Sequence, residues 1–404
     1  MLERLDEVPW AELTHAYGSA ADVPEQIRAL GSPDPAVRKQ AYHDSYGNIF
    51  HQGTRYQATA FAVPFLIELL ADPSTPDRAG LLDLLAALAV SYDESLLPHP
   101  FPIADLRRRA AGGEAVLAGK PLPTGEEDDS GDYEYQDSLE EDDQERMYAY
   151  IDLCAYQAVQ AGVPLYRQLL ADPDPAVRTA AAYAVAWFPE DAAGSIGPLT
   201  VAATDPSDTV AASALVALGL LGAADAGSPA ALRAAVAGAR ELPRWGAAVA
   251  LAALHGPDTE PAAVAELHTW AAGDHRARRG IPYLEGDLSG YAALALRQLG
   301  DAHAGTAFDT LLTRIPSVDG PAAMPVVKEA LRHAFPAGRV AAGTRFADLT
   351  DRQQRLVRAL AASPSTWQWG DFGSFGNFMG MVGGYGLPTT AEDMAAFAAG
   401  GRSS

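Results

Sequence analysis

The sequence predicts an all-α chain, an α-solenoid (superhelix) of stacked helical hairpins closed by an irregular glycine- and aromatic-rich segment. Three observations carry this expectation. Hydrophobic residues make up 48% of the chain but aromatics only 8%, so the core must be built from many small side chains. Alanine, the best helix former, lets helix axes approach closely. The chain also repeats itself without a gap. Tyr56-Gln57-Ala58 recurs as Tyr156-Gln157-Ala158, Val63-Pro64 as Val163-Pro164, Leu69 to Pro73 as Leu169 to Pro173, and Arg78 as Arg178, always at an offset of 100. Finally, each copy is punctuated as a helical pair. Val-Pro opens a helix with proline in its first turn, Leu-Leu-Ala-Asp-Pro ends it, and a second helix follows.

From the N-terminus, residues 1–118 read as the first hairpins. One departure stands out between the matched copies. Where the second has Ile151-Asp152-Leu153-Cys154, which continues a helix, the first has His51-Gln52-Gly53-Thr54. The helix is expected to stop there, with Gly53 left-handed at its C-terminus and Thr54 capping the next helix. An interrupted helix also exposes backbone groups beside His51, Gln52, Thr54 and Tyr56, with His43, Asp44 and Asn48 upstream and Tyr17 as a further contributor. These residues form a candidate polar site, since histidine near carboxylates suits acid–base work or ligand binding.

Residues 119–143 read as an acidic, disordered insertion. Glu126 to Glu145 holds twelve acidic residues and no Lys or Arg. Such a block repels itself, and it would steer a basic partner electrostatically. Residues 144–362 resume the hairpins. Weaker copies of the small-residue helix occur at Val210 to Gly219, Trp245 to Leu254 and Tyr291 to Gly300, at separations within the range of roughly 33 to 47 residues typical of helical-pair repeats. Residues 363–404 form the closing segment. Trp367-Gln368-Trp369 through Phe375, Asn377 and Tyr385 is too glycine-dense for a regular helix and lacks the Lys-Ser/Thr ending of a phosphate loop. Its aromatics either cover the bare apolar face of the last repeat or line a ligand or partner surface. Thr390 and Asp393 have the spacing of a capping box for a last helix.

Ser32-Pro33-Asp34-Pro35-Ala36-Val37-Arg38 and Asp172-Pro173-Asp174-Pro175-Ala176-Val177-Arg178 resemble the inter-helix turn and second-helix start of HEAT-like repeats, the type found in bacterial HEAT repeat proteins and phycobilin lyase subunits. The resemblance spans most of residues 20 to 340. It implies a solenoid, and a ladder of turn aspartates and helix arginines in which Asp34, Arg38, Asp174 and Arg178 are structural.

The net charge of −23 argues against a nucleic-acid partner, whose phosphates need concentrated Lys and Arg. Short basic runs such as Arg107-Arg108-Arg109 and Arg276-Ala277-Arg278-Arg279 do not make the basic face of HEAT-like DNA glycosylases. The paired His-Glu dipeptides of HEAT-like di-iron hydroxylases are missing. The single cysteine, Cys154, excludes an intramolecular disulfide and a cysteine-rich zinc site. His268, Asp274 and His275 lack metal-ligand spacing, so neither metal nor cofactor is expected. The absence of a signal-like or membrane-spanning stretch points to a cytoplasmic protein without a membrane partner. No recognisable catalytic motif is present. The expected function is therefore protein–protein interaction or scaffolding on the concave face, in an immunity or chaperone-like form if the partner is basic. The alternative is an enzyme or small-molecule binder using a pocket at the His51–Thr54 break.

Overall fold

The computed structural model describes residues 2–123, 131–222, 228–273 and 280–400, and the side chains of these except 131–133. The acidic run Glu126–Asp129, and Asp274, His275 and the Arg276–Arg279 run, therefore lie outside the described residues. The fold is all-α. Among the described residues the only strands are two-residue arms of two short hairpins. The chain divides into two compact units, Met1–Leu96 with Pro100–Val210, and Leu97–His99 with Ala211–Ser404.

In the first unit, hairpin β1 (Thr14–His15) and β2 (Gly18–Ser19) precedes α1 (Val23–Leu30) and α2 (Pro35–Asn48). Hairpin β3 (Phe50–His51) and β4 (Thr54–Arg55) precedes α3 (Gln57–Ala71) and α4 (Arg78–Val90). Short helices α5 (Ile103–Arg109), α6 (Gly113–Ala118) and α7 (Gly131–Ser138) lead to α8 (Glu141–Gln160), α9 (Val163–Leu169), α10 (Pro175–Val185) and α11 (Ala192–Ala202). Helix α12 (Asp208–Leu220) contains the division between the units.

The turn aspartates behave as their sequence implies. Asp34 accepts from the amide of Ala36 at 2.8 Å, and Asp174 accepts from Ala176 at 2.8 Å, each capping a helix with proline at its start. Arg38 donates to the carbonyls of Ser32 and Pro33, and Arg178 repeats this on Asp172 and Pro173 at the same 2.8 and 3.1 Å. The ladder between hairpins runs through other carboxylates. Arg78 meets Asp172 at 2.6 Å, and Arg178 meets Asp205 at 2.9 Å, with all four side chains largely buried.

Four expectations are corrected. Pro164 opens α9, but Pro64 lies inside the continuous helix α3, where burial of Ala62, Val63, Phe65 and Leu66 around it offsets the missing donor. Helix α2 does stop before His51, yet Gln52 and Gly53, at φ 49° and 90°, form a two-residue hairpin turn of the kind that demands two left-handed residues. Thr54 is paired with His51 in that hairpin, and the start of α3 is fixed by Thr59, whose hydroxyl accepts from the Tyr56 amide at 2.8 Å. The insertion expected to be disordered is helical at 131–138 and from Glu141 onward. The Tyr135 hydroxyl donates to the Val116 carbonyl, and Tyr148 donates to Gln136 at 2.6 Å. Glu141, Asp142 and Asp143 fall in the first turn of α8, where the helix dipole favours negative charge.

In the second unit, α13 (Ser228–Val236) pairs with α14 (Glu241–His255), α15 (Pro261–Ala272) with α16 (Leu288–Ala295), and α17 (Ala304–Arg314) with α18 (Gly320–Ala334). The buried Trp245 stands 6.3 Å from the Trp270 ring and 5.7 Å from Tyr291, and its indole donates to the Leu288 carbonyl. Helices α19 (Asp351–Ala361), α20 (Gly376–Gly384) and α21 (Ala391–Ala398) close the chain. Helix α20 is the fourth correction, since glycine density does not prevent it. Phe378 and Val382, one turn apart and fully buried, tie it down, with Phe378 edge-on to Trp367 at 5.0 Å. Burial there outweighs a propensity cost of about 1 kcal/mol per glycine. The Thr390 hydroxyl caps α21 by accepting from Asp393 at 3.1 Å.

Candidate functional site

The corner where the two small hairpins meet α2 gathers several of the expected residues. The Tyr17 ring lies edge-on to His51 at 5.4 Å, and His51 Nδ1 sits 3.1 Å from the Gly47 carbonyl and 3.4 Å from the Tyr17 hydroxyl. Donation to the carbonyl is the shorter bond and puts the proton on Nδ1. Asn48 donates to Asp22 at 3.0 Å, and Asp22 also receives His15 Nε2 at 2.9 Å and Gln26 at 2.6 Å. Partial burial works to raise the Asp22 carboxyl, but the bond and charge of His15 with the other donors hold it below its ordinary value. His15 Nδ1 accepts the Tyr17 amide, so this buried imidazole has both nitrogens engaged.

Other expected residues point elsewhere. Asp44 accepts from Gln40 one turn away, while His43 and Gln52 are exposed. Tyr56 faces an open cleft of about 470 Å³ between α3, α6 and α8, floored by Phe61, Leu117 and Ile151 and edged by Glu114, Tyr150 and Cys154. His51, Gln52 and Thr54 do not line that cleft. In the closing segment Trp367 and Phe375 are buried, Tyr385 packs 5.9 Å from Phe335, and Asn377 is exposed. Trp369 is half open, and Phe372, which the sequence did not single out, is 83% exposed.

A second cluster, also not singled out by the sequence, lies on the face shared by α2 and α4. Tyr42 and Tyr46 are one turn apart on α2, and the Tyr42 hydroxyl donates to the Asp77 carbonyl at the start of α4. Tyr46 stands edge-on to Phe50 at 5.8 Å, and Phe50 edge-on to Tyr92 at 5.5 Å. The hairpin turn supports this arc. Ser91 donates to the Gly53 carbonyl at 2.9 Å, and a Cβ on Gly53 would meet the Tyr92 ring at 3.1 Å. Tyr46 and Tyr92, each edge-on to Phe50, remain 39% and 47% exposed.

Asp83 stands on the same face of α4, one turn after Gly80, against which the Asp77 carboxylate and the Tyr42 hydroxyl pack. It opens to solvent. Even so, the surrounding wall and the Asp77 carboxylate push its carboxyl up to about 7. Loss of water raises the Tyr42 and Tyr46 hydroxyls as well, helped by Asp77 at Tyr42 and by Asp83 at Tyr46, so both phenols stay neutral. Unlike Asp172 and Asp205, each claimed by an arginine, Asp83 has no ion pair or hydrogen bond among the described residues. Arg38, the cation felt by Tyr42, is spent on the carbonyls of its own turn.

No group of His, Cys, Asp and Glu suited to a metal occurs among the described residues, and no described helix is long and apolar enough to cross a membrane. Residues 137–219 match the family model for HEAT repeats, in agreement with the repeat class read from the turn motifs. No curated protein matches the chain.

Proposed function

We propose, from a chain that carries HEAT repeats over residues 137–219, that it holds a protein partner on the face shared by α2 and α4. Repeats of this class use extended faces of stacked helices for binding, and their stacking leaves the second helices of successive hairpins side by side. One observation carries the reading. Tyr46 and Tyr92 are exposed next to an unpartnered carboxylate, Asp83, on a face already supported by a hairpin turn. Exposed tyrosines supply rigid, amphipathic contact area of the sort that anchors interfaces.

With a net charge of −23, the chain favours a basic partner. An immunity or chaperone-like role, masking such a protein, is the form of this reading that fits the charge. Capture from the native host's lysate tests it when three baits are compared. A host protein retained by the wild type and by Val201→Ala, a change at a residue 74% exposed in α11, should be lost with the double variant Tyr46→Ala/Tyr92→Ala. If every retained protein is indifferent to the two tyrosines, partner holding at this face is wrong.

A further inference from the structure

We propose that the face shared by α2 and α4 receives an arginine side chain of a basic partner, with its guanidinium on the Asp83 carboxylate and its plane against the Tyr46 and Tyr92 rings. The inference rests on the partner-holding reading and names what the partner presents. Three features converge on a cation. Among the described residues no arginine pairs with Asp83, whereas Arg78 and Arg178 are committed to Asp172 and Asp205. Tyr42 and Tyr46 are neutral phenols, so their rings offer the electron-rich faces that attract cations. A purely apolar partner would instead bury an unpaired charge.

Arginine fits better than lysine. Its guanidinium is planar, weakly hydrated, able to bind a carboxylate with two N–H groups and able to stack on a ring at the same time. The Tyr42 hydroxyl and the Asp77 carboxylate close over Gly80, where an added Cβ would meet them at 2.8 and 2.7 Å, so Asp83, one turn further along α4, is where this face stays open. The nearby Asp77 carboxylate is engaged with the amide of Gly80 at 3.3 Å and adds negative potential without competing for the guanidinium.

The test uses the full chain and a fluorescent peptide of alternating glycine and arginine, with binding followed by anisotropy at physiological salt. The same peptide with citrulline, the uncharged isostere of arginine, is the comparison. Asp83→Asn is expected to weaken the arginine peptide by about tenfold or more, and citrulline to weaken binding to the wild type at least as much. Asp371→Asn, which removes the same charge from an exposed turn of the second unit, should change affinity less than about twofold. Thermal melts of both variants confirm that they fold.

No binding of the arginine peptide by the wild type, equal losses in the two Asn variants, or tight binding of the citrulline peptide would each overturn the proposal. The two readings separate cleanly. If Tyr46→Ala/Tyr92→Ala abolishes capture of a host protein while Asp83→Asn and citrulline change nothing, partner holding stands and the arginine socket does not.

Discussion

Asp83 shows how a single carboxyl reports on its surroundings. Its pKa of about 7 in the folded chain lies above the ordinary aspartate value of about 3.9. Between those values the native state binds more protons than the unfolded one, so stability is fully present below about pH 4 and is lost as pH rises through about 7. The groups facing it are Asp77 at the start of α4 and Tyr42 and Tyr46 from α2, with Arg38 reaching only Tyr42. Asp83→Asn should therefore raise the melting temperature at pH 8 and leave it unchanged at pH 4. A gain that is constant across pH would refute the desolvation account. Asp152 differs in having a cation, Arg55, at 2.7 Å, although burial still raises its carboxyl against the pull of that guanidinium. Removing the carboxylate with Asp152→Ala strands a guanidinium that is only 8% exposed, and urea unfolding should show a loss of about 3 kcal/mol. Neither residue was legible as important in the sequence. Arg55 and Asp152 are 97 positions apart, and Asp83 acquires its character only when α2 stacks beside α4.

At the scale of helices and turns, the polar caps read true, while the start at Val63-Pro64, the cap at Thr54 and the glycine-dense stretch of α20 did not. The caps at Asp34, Asp174 and Thr390 could be found because a cap is a two- or three-residue relation. The 51–54 turn escaped because Gln-Gly is not the Asn-Gly signature of a two-residue hairpin loop, and α20 escaped because its stability comes from Trp367 rather than from propensity. Glycine spacing gives an element-scale test. A Cβ on Gly246 of α14 would fall 2.6 Å from the carbonyl oxygen of Ala212 in α12, whereas one on Gly380 of α20 would meet nothing within 4 Å. Gly246→Ala gains helix propensity of about 1 kcal/mol but must push two backbones apart, and overpacking costs about 1–3 kcal/mol. Chemical denaturation should show it destabilised, and Gly380→Ala stabilised by up to about 1 kcal/mol.

For the molecule as a whole, the repeat class, the all-α architecture and the preponderance of acid could be read directly, since each is distributed along the chain. The candidate binding face could not, because it is assembled from side chains of two hairpins with no shared spacing rule. The same charge that favours a basic partner should also weaken the free protein through self-repulsion. Calorimetry between about 10 mM and 500 mM NaCl should show the melting temperature rising as the repulsion is screened. A fall would mean that the surface ion pairs contribute more than the net charge opposes.

Cys154, the one thiol of the chain, sits half-buried at the edge of the cleft that Tyr56 enters, and burial raises its pKa. A protonated, shielded sulfur is alkylated slowly at neutral pH. One maleimide dye would therefore label every molecule at a single known address, and a bulky ligand seated in the cleft would lengthen the labelling half-time.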